Sequence, residues 1–123
     1  MGLDMYAYRT PVQLSKSVDF EDEVGEDYTR IATWRKHPNL HGWMKKLYEL
    51  KGGVSTEFNC VPVELTQGDL ETLRFAVQQN LLPDTSGFFF GNSNHVGSAD
   101  LGFIEIALQA LDEGDRVFYD SWW

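Results

Sequence analysis

Leu3, Met5 and Ala7 alternate with Asp4, Tyr6 and Tyr8 at the start of the chain. Successive side chains of an extended backbone point to opposite sides, so this two-residue period reads as a strand, residues 2 to 9, with one face on a core. Such a strand needs partner strands and a covering layer. Helical spacing supplies the layer, with one stripe at Leu70, Leu73 and Val77 and another at Leu101, Ile104, Leu108 and Leu111. The expected fold class is α+β: a single compact domain over residues 1–123, strands alternating with about three helices around one small sheet. Parallel strand pairs are compatible with that alternation.

Local signals set the boundaries. Thr66 reads as an N-cap, with Asp69 three residues on as the short relative of a capping-box Glu and Leu65 and Leu70 at the staple positions. Asn80 is the expected stop. Ser98 is the expected cap of the last helix and Gly114 its end. From Tyr28 to Leu50 apolar residues fall at helical spacing around Pro38, which predicts two helical pieces or one kinked helix, stopped by Gly52 and Gly53. Phe58 to Leu65 reads as a strand, moved to a sheet edge by Pro62. Ser86 to Gly91 reads as a short strand covered on both faces, and Val117 to Tyr119 as the last strand. Residues 10–27, with six acids between Asp19 and Asp27, read as a solvated acidic loop within the domain.

Composition narrows the function. A chain of 123 residues with 42% hydrophobic content can pack a core, while a net charge of -9 opposes binding to phosphate backbones or anionic lipid. Direct nucleic-acid and membrane partners are therefore not expected. Cys60 is the single cysteine, so no intrachain disulfide can form, a reducing cytoplasmic setting is the default, and the thiol reads as a buried packing residue. The N-terminus has no basic and apolar leader pattern, and no apolar run is long enough to span a bilayer.

The charge is uneven. Residues 30–51 hold six basic side chains against one acid, a basic island in an acidic chain. Two readings stand: this segment packs on the acidic loop before it, or it forms an anion or phosphate site with Arg35 as forked donor and Lys36 as point charge. His37 and His41 have the spacing of two metal ligands on one helix face, with Cys60 or His95 as conceivable additions, but neither HExxH nor a paired CxxC is present and no metal is expected. No GxxxxGK[ST], GxGxxG or GxSxG occurs, and no cofactor is expected. At the end of the chain, Trp122 is expected to pack inward beside Tyr119 or Trp34, leaving Trp123 partly exposed as a partner surface.

Three segments together resemble a family of small uncharacterised proteins encoded by tailed phages and prophages: Trp34 to Met44 (WRKHPNLHGWM), Leu82 to Gly91 (LPDTSGFFFG) and Val117 to Trp123 (VFYDSWW). The start MGLDMY and the run Phe58 to Leu70 add weaker similarity, and Pro38 and Gly42 depart from the family pattern. Some relatives carry a phosphoglycerate kinase label, which this chain is far too short to justify. The resemblance implies ligand-binding positions at Trp34, Arg35, Lys36, His41, Thr85, Ser86, Tyr119 and Ser121. It also implies a phage accessory protein of the host cytoplasm that acts by binding, either sequestering a phosphorylated small molecule or blocking a basic host or defence protein. The alternative is a small enzyme on a phosphorylated metabolite or nucleotide, with His41 as acid or base and Arg35 as phosphate clamp.

Overall fold

The computed structural model describes residues 2–87, 90–91, 93 and 97–123. The chain runs β1 (Asp4–Thr10), α1 (Glu21–Val24), β2 (Thr29–Arg35), α2 (Pro38–Leu50), β3 (Val63–Glu64), α3 (Gln67–Gln78), α4 (Gly97–Asp112) and β4 (Arg116–Trp122). The N-terminal alternation becomes β1, at the centre of a four-stranded sheet of order β2-β1-β4-β3. Every pair between these strands is antiparallel, so the alternation of strands and helices does not produce parallel neighbours.

Met5, Ala7, Val117 and Tyr119 project from β1 and β4 into one core with Trp34 of β2. Leu40, Met44 and Tyr48 of α2, Leu70 and Leu73 of α3, and Phe103, Ile104, Ala107 and Ala110 of α4 complete it. The opposite face carries a smaller cluster of Phe20, Val24 and Phe118, with Tyr8 and Leu14 against it. The acidic segment is therefore not a solvated loop throughout: Val18, Phe20 and Val24 are buried, and its backbone bridges to Val63. Its acids stay outside while its apolar residues cover the second face.

Residues 29–35 form a strand where apolar spacing suggests a helix. A β-bulge between Ala7 and Tyr8 shifts the pairing, so Ile31 and Ala32 are both half-buried and β2 loses strict alternation. Its Thr29, Ile31, Thr33 and Trp34 are β-favouring, and the exposed edge of β1 captures them. Pro38 does not kink a helix. It opens α2 at the first turn, where its missing N–H has no helical partner to lose.

The capped helix at Thr66 forms as expected. Thr66 Oγ1 accepts from the Asp69 N–H at 3.2 Å and the Asp69 carboxylate accepts from the Thr66 N–H at 2.9 Å. The Lys51 ammonium also reaches Asp69 and the Glu64 carbonyl, joining the end of α2 to the start of α3. Asn80 ends the turn after α3 at φ 59°.

Other boundaries differ. The expected strand at residues 58–65 shortens to Val63–Glu64 because Phe58 and Cys60 have left-handed φ values of 50° and 60°. Cys60 is exposed instead of buried. α4 starts at Gly97, which places Ser98 inside the helix, and its buried stripe runs through Asp100, Phe103, Ile104, Ala107 and Ala110. In the expected strand Ser86 to Gly91, Phe90 lies in a turn, while Phe88 and Phe89 lie outside the described residues. Among the described residues no helix is long and apolar enough to cross a membrane.

Candidate functional site

Where the first turns of α2 meet the end of β4, His41 is buried to 1% exposure inside an aromatic box. Its ring centroid lies 4.9 Å from that of Phe58, 5.1 Å from Phe90, 6.0 Å from Tyr119 and 6.4 Å from Trp123. Nδ1 is 2.7 Å from the Tyr119 hydroxyl, whereas Nε2 is buried with no hydrogen-bond partner. Burial, with a smaller contribution from the Lys45 cation, pushes the His41 pKa down to about 4, so the ring is neutral at pH 7. Burial also raises the Tyr119 pKa well above its ordinary value, against an opposing hydrogen bond from Ser121. A phenol that keeps its proton donates it to Nδ1, which leaves the imidazole hydrogen on Nε2 as an unsatisfied donor.

His41 forms part of the wall of a cavity of about 320 Å³ that Lys45, Thr56, Glu57, Thr85, Ser86, Gly87, Phe90 and Trp123 complete. Two glycines permit this arrangement. A Cβ on Gly42 would stand 2.0 Å from Thr85 Oγ1, and one on Gly87 would stand 2.5 Å from the Phe90 ring. Thr85 is fixed further, its N–H donating to Asn39 Oδ1 at 3.0 Å and its hydroxyl to the Pro83 carbonyl at 2.9 Å. Trp123 packs edge-on against Phe90 with centroids 5.0 Å apart, and its indole N–H donates to the Phe58 carbonyl at 3.1 Å.

No family model, curated protein or solved structure matches this chain.

Of the positions singled out in the sequence, the fold brings His41, Thr85, Ser86 and Trp123 to one cavity. Tyr119 and Ser121 stand behind it, Tyr119 through its bond to His41 and Ser121 buried with its hydroxyl 3.4 Å from the Phe58 carbonyl. Trp34, Arg35 and Lys36 are elsewhere. Trp34 donates its indole N–H to Asp100 at 3.1 Å, Arg35 pairs with Asp4 at 3.3 Å, and the Lys36 stem packs beside Gly91 and Gly2. Arg35 and Lys36 thus line no part of the His41 cavity. Lys45, one turn beyond His41 on α2, is the cation there.

The expected faces of the two terminal tryptophans are reversed. β4 extends through residue 122, and alternation from buried Tyr119 and Ser121 carries Trp122 outward to 66% exposure and Trp123 back against the core. Trp123, half-buried, forms part of the wall of the His41 cavity. Thr56, Glu57 and Phe90 come from loops that have no periodic pattern, and Lys45 reads in the sequence only as one of the six basic residues around α2.

Among the described residues no group of three potential ligands could hold a metal ion, and His95 lies outside them. A larger groove of about 460 Å³ runs between α3 and α4, lined by Glu71, Glu105 and Asp112 among others. It contains no buried unsatisfied polar atom, so the smaller cavity beside His41 has the stronger chemical specification.

Proposed function

We propose that this protein binds a small phosphorylated molecule carrying a flat apolar group, in the cavity beside His41. The observation that carries the reading is the buried, unsatisfied Nε2–H of a neutral histidine in an otherwise closed aromatic box. A buried donor without a partner costs about 1–3 kcal/mol, which a ligand acceptor would recover. Lys45 supplies positive charge for the phosphate, Thr56, Thr85 and Ser86 supply hydroxyls, and Phe90 and Trp123 offer faces for the apolar group. Glu57 at the rim favours a ligand that also carries a donor.

Binding is favoured over acid-base catalysis at this cavity because a histidine with a pKa near 4 is a weak base and carries no acidic imidazolium proton at pH 7. Arg35, the phosphate clamp of the catalytic alternative, stands with Asp4 outside the cavity. The motif resemblance to tailed-phage proteins makes the biological role an accessory one in the host cytoplasm, removing a phosphorylated metabolite or signal. A second reading, the blocking of a basic host protein, draws on the acidic α3–α4 groove.

Thermal shift with inorganic phosphate, nucleoside monophosphates and sugar phosphates tests the first reading. Ligand at ten times its Kd adds about 1.4 kcal/mol of native-state stability, which corresponds to a Tm rise of several degrees. The rise should vanish in Lys45→Ala and shrink in Trp123→Ala. A panel without effect, or one whose effect survives both substitutions, leaves the protein-blocking reading in its place.

A further inference from the structure

We infer that Ser93, His37 and Asp100 form a second, catalytic site: a serine nucleophile array that hydrolyses esters of short acyl groups. The site stands apart from the His41 cavity and does not depend on what that cavity binds. Ser93 Oγ is 2.9 Å from His37 Nδ1, and His37 Nε2 is 2.9 Å from Asp100 Oδ2. The base and the acid are 3% and 2% exposed, while Ser93 is half-buried. Two stretches distant in sequence converge on this line: the turn before α2, and the start of α4 with the residues just before it.

The hydrogen-bond partners fix the direction of the protons. Trp34 Nε1–H, which can only donate, gives its hydrogen to Asp100 Oδ1 at 3.1 Å. Asp100 Oδ2 is then the acceptor for His37 Nε2–H. The Asn39 backbone N–H donates to Ser93 Oγ at 3.0 Å, so the serine hydrogen is free to point at the His37 Nδ1 lone pair. This is the tautomer a general base needs: lone pair toward the nucleophile, N–H toward the acid. The ring is turned over relative to the usual serine hydrolase arrangement, in which Nε2 faces the serine, but either nitrogen can take the proton.

A place for the substrate adjoins these groups. A cavity of about 140 Å³ is lined by His37, Ser93 and Asp100, by Val77 and Leu82 as an apolar wall, and by Gly97 at the start of α4. Its size suits a short acyl group. The first turn of the 16-residue α4 presents backbone N–H groups that have no partner within the helix, at its positive end, where an oxyanion would be stabilised.

In the reaction, Ser93 Oγ attacks the ester carbonyl carbon while its proton passes to His37 Nδ1, and the carbonyl electron pair moves to oxygen. Collapse of that intermediate breaks the bond to the alcohol oxygen, and the alcohol leaves with the proton from His37. Water then attacks acyl-Ser93, giving a proton to His37. Collapse releases the carboxylic acid and returns that proton to Ser93 Oγ. Ester and water become acid and alcohol, with no other reactant.

The competing role for Ser93 is structural, as the acceptor that caps the N-terminus of α2 through Asn39. Exposing the full chain to an alkyl fluorophosphonate, then mapping the adduct by intact mass and peptide sequencing, separates the two. The expected result is one adduct, on Ser93, absent from folded Ser93→Ala and formed at least about 100-fold more slowly in His37→Gln. Asp100 acts as a positioning residue, so Asp100→Asn should slow labelling and also shift its pH profile, which a packing defect would not do. Should a variant fail to fold, the wild-type peptide map and pH profile decide alone. No adduct, adducts spread over tyrosines, labelling that persists in Ser93→Ala, or a wild-type rate indifferent to pH would overturn the assignment and leave Ser93 as a cap.

Discussion

Buried His41 and half-buried Asp120 titrate in nearly the same pH range with opposite effects on stability. The folded pKa of His41, about 4, lies below the ordinary 6.5, chiefly through burial and secondarily through Lys45. Between those values the unfolded chain holds a proton that the folded chain lacks, so stability falls as pH drops from 6.5 toward 4. Asp120 does the reverse. Burial raises its pKa from 3.8 to about 6, a hydrogen bond from the Ser121 N–H opposes that, and Glu21 adds to the rise. The folded chain takes up this proton first, so stability is gained as pH falls from 6 toward 3.8. Going from pH 7 to pH 5, His41 should cost about 2 kcal/mol and Asp120 should return about 1 kcal/mol. Urea denaturation of wild type, His41→Phe and Asp120→Asn at both pH values isolates each contribution, because every other titration is common to the three proteins. The stability of His41→Phe relative to wild type should rise by about 2 kcal/mol on acidification, and that of Asp120→Asn should fall by about 1 kcal/mol. A His41→Phe difference that stays constant between pH 7 and pH 5 would falsify the buried neutral imidazole and, with it, the unsatisfied donor on which the binding site rests.

Further substitutions probe the fold and the cavity wall. Thr66→Ala should lower stability by about 0.5–2 kcal/mol, since it removes one half of a reciprocal cap; an unchanged urea midpoint would contradict that cap. Trp123→Ala should cost more stability than Trp122→Ala, because Trp123 packs on Phe90 and His41 while Trp122 is 66% exposed, and equal losses by chemical denaturation would count against those faces. Gly42→Ala should destabilise by about 1–3 kcal/mol and abolish phosphate-ligand thermal shifts, since its methyl group would displace Thr85 from the cavity; retained shifts would mean that Thr85 is dispensable.

Features whose cause is local could be read from the chain directly. The Thr66 box needs only residues 65 to 70, and β1 needs only its own alternation. The candidate site was legible in part. His41, Thr85, Ser86, Tyr119 and Ser121 do gather, but Arg35 and Lys36, adjacent to Trp34 in sequence, leave the group because β2 ends there. Lys36 adopts a left-handed φ of 54° with its N–H bonded to the Leu3 carbonyl, which turns the chain away before α2 begins. Nothing in residues 34 to 36 announces that turn, since it depends on β1 being alongside.

The sequence by itself determined the fold class, the capped start of α3, the N-terminal strand and the exclusion of disulfide chemistry within the chain, because each follows from spacing or composition over a few residues. Only the tertiary structure decided that residues 29–35 are a strand, that Trp123 faces inward, and that His37, Ser93 and Asp100 meet. The physical reason is the same in all three: hydrogen-bond partners and burial belong to pairs of distant segments. A backbone edge, a continued strand register or a helix N-terminus must be in place before a side chain's role is fixed.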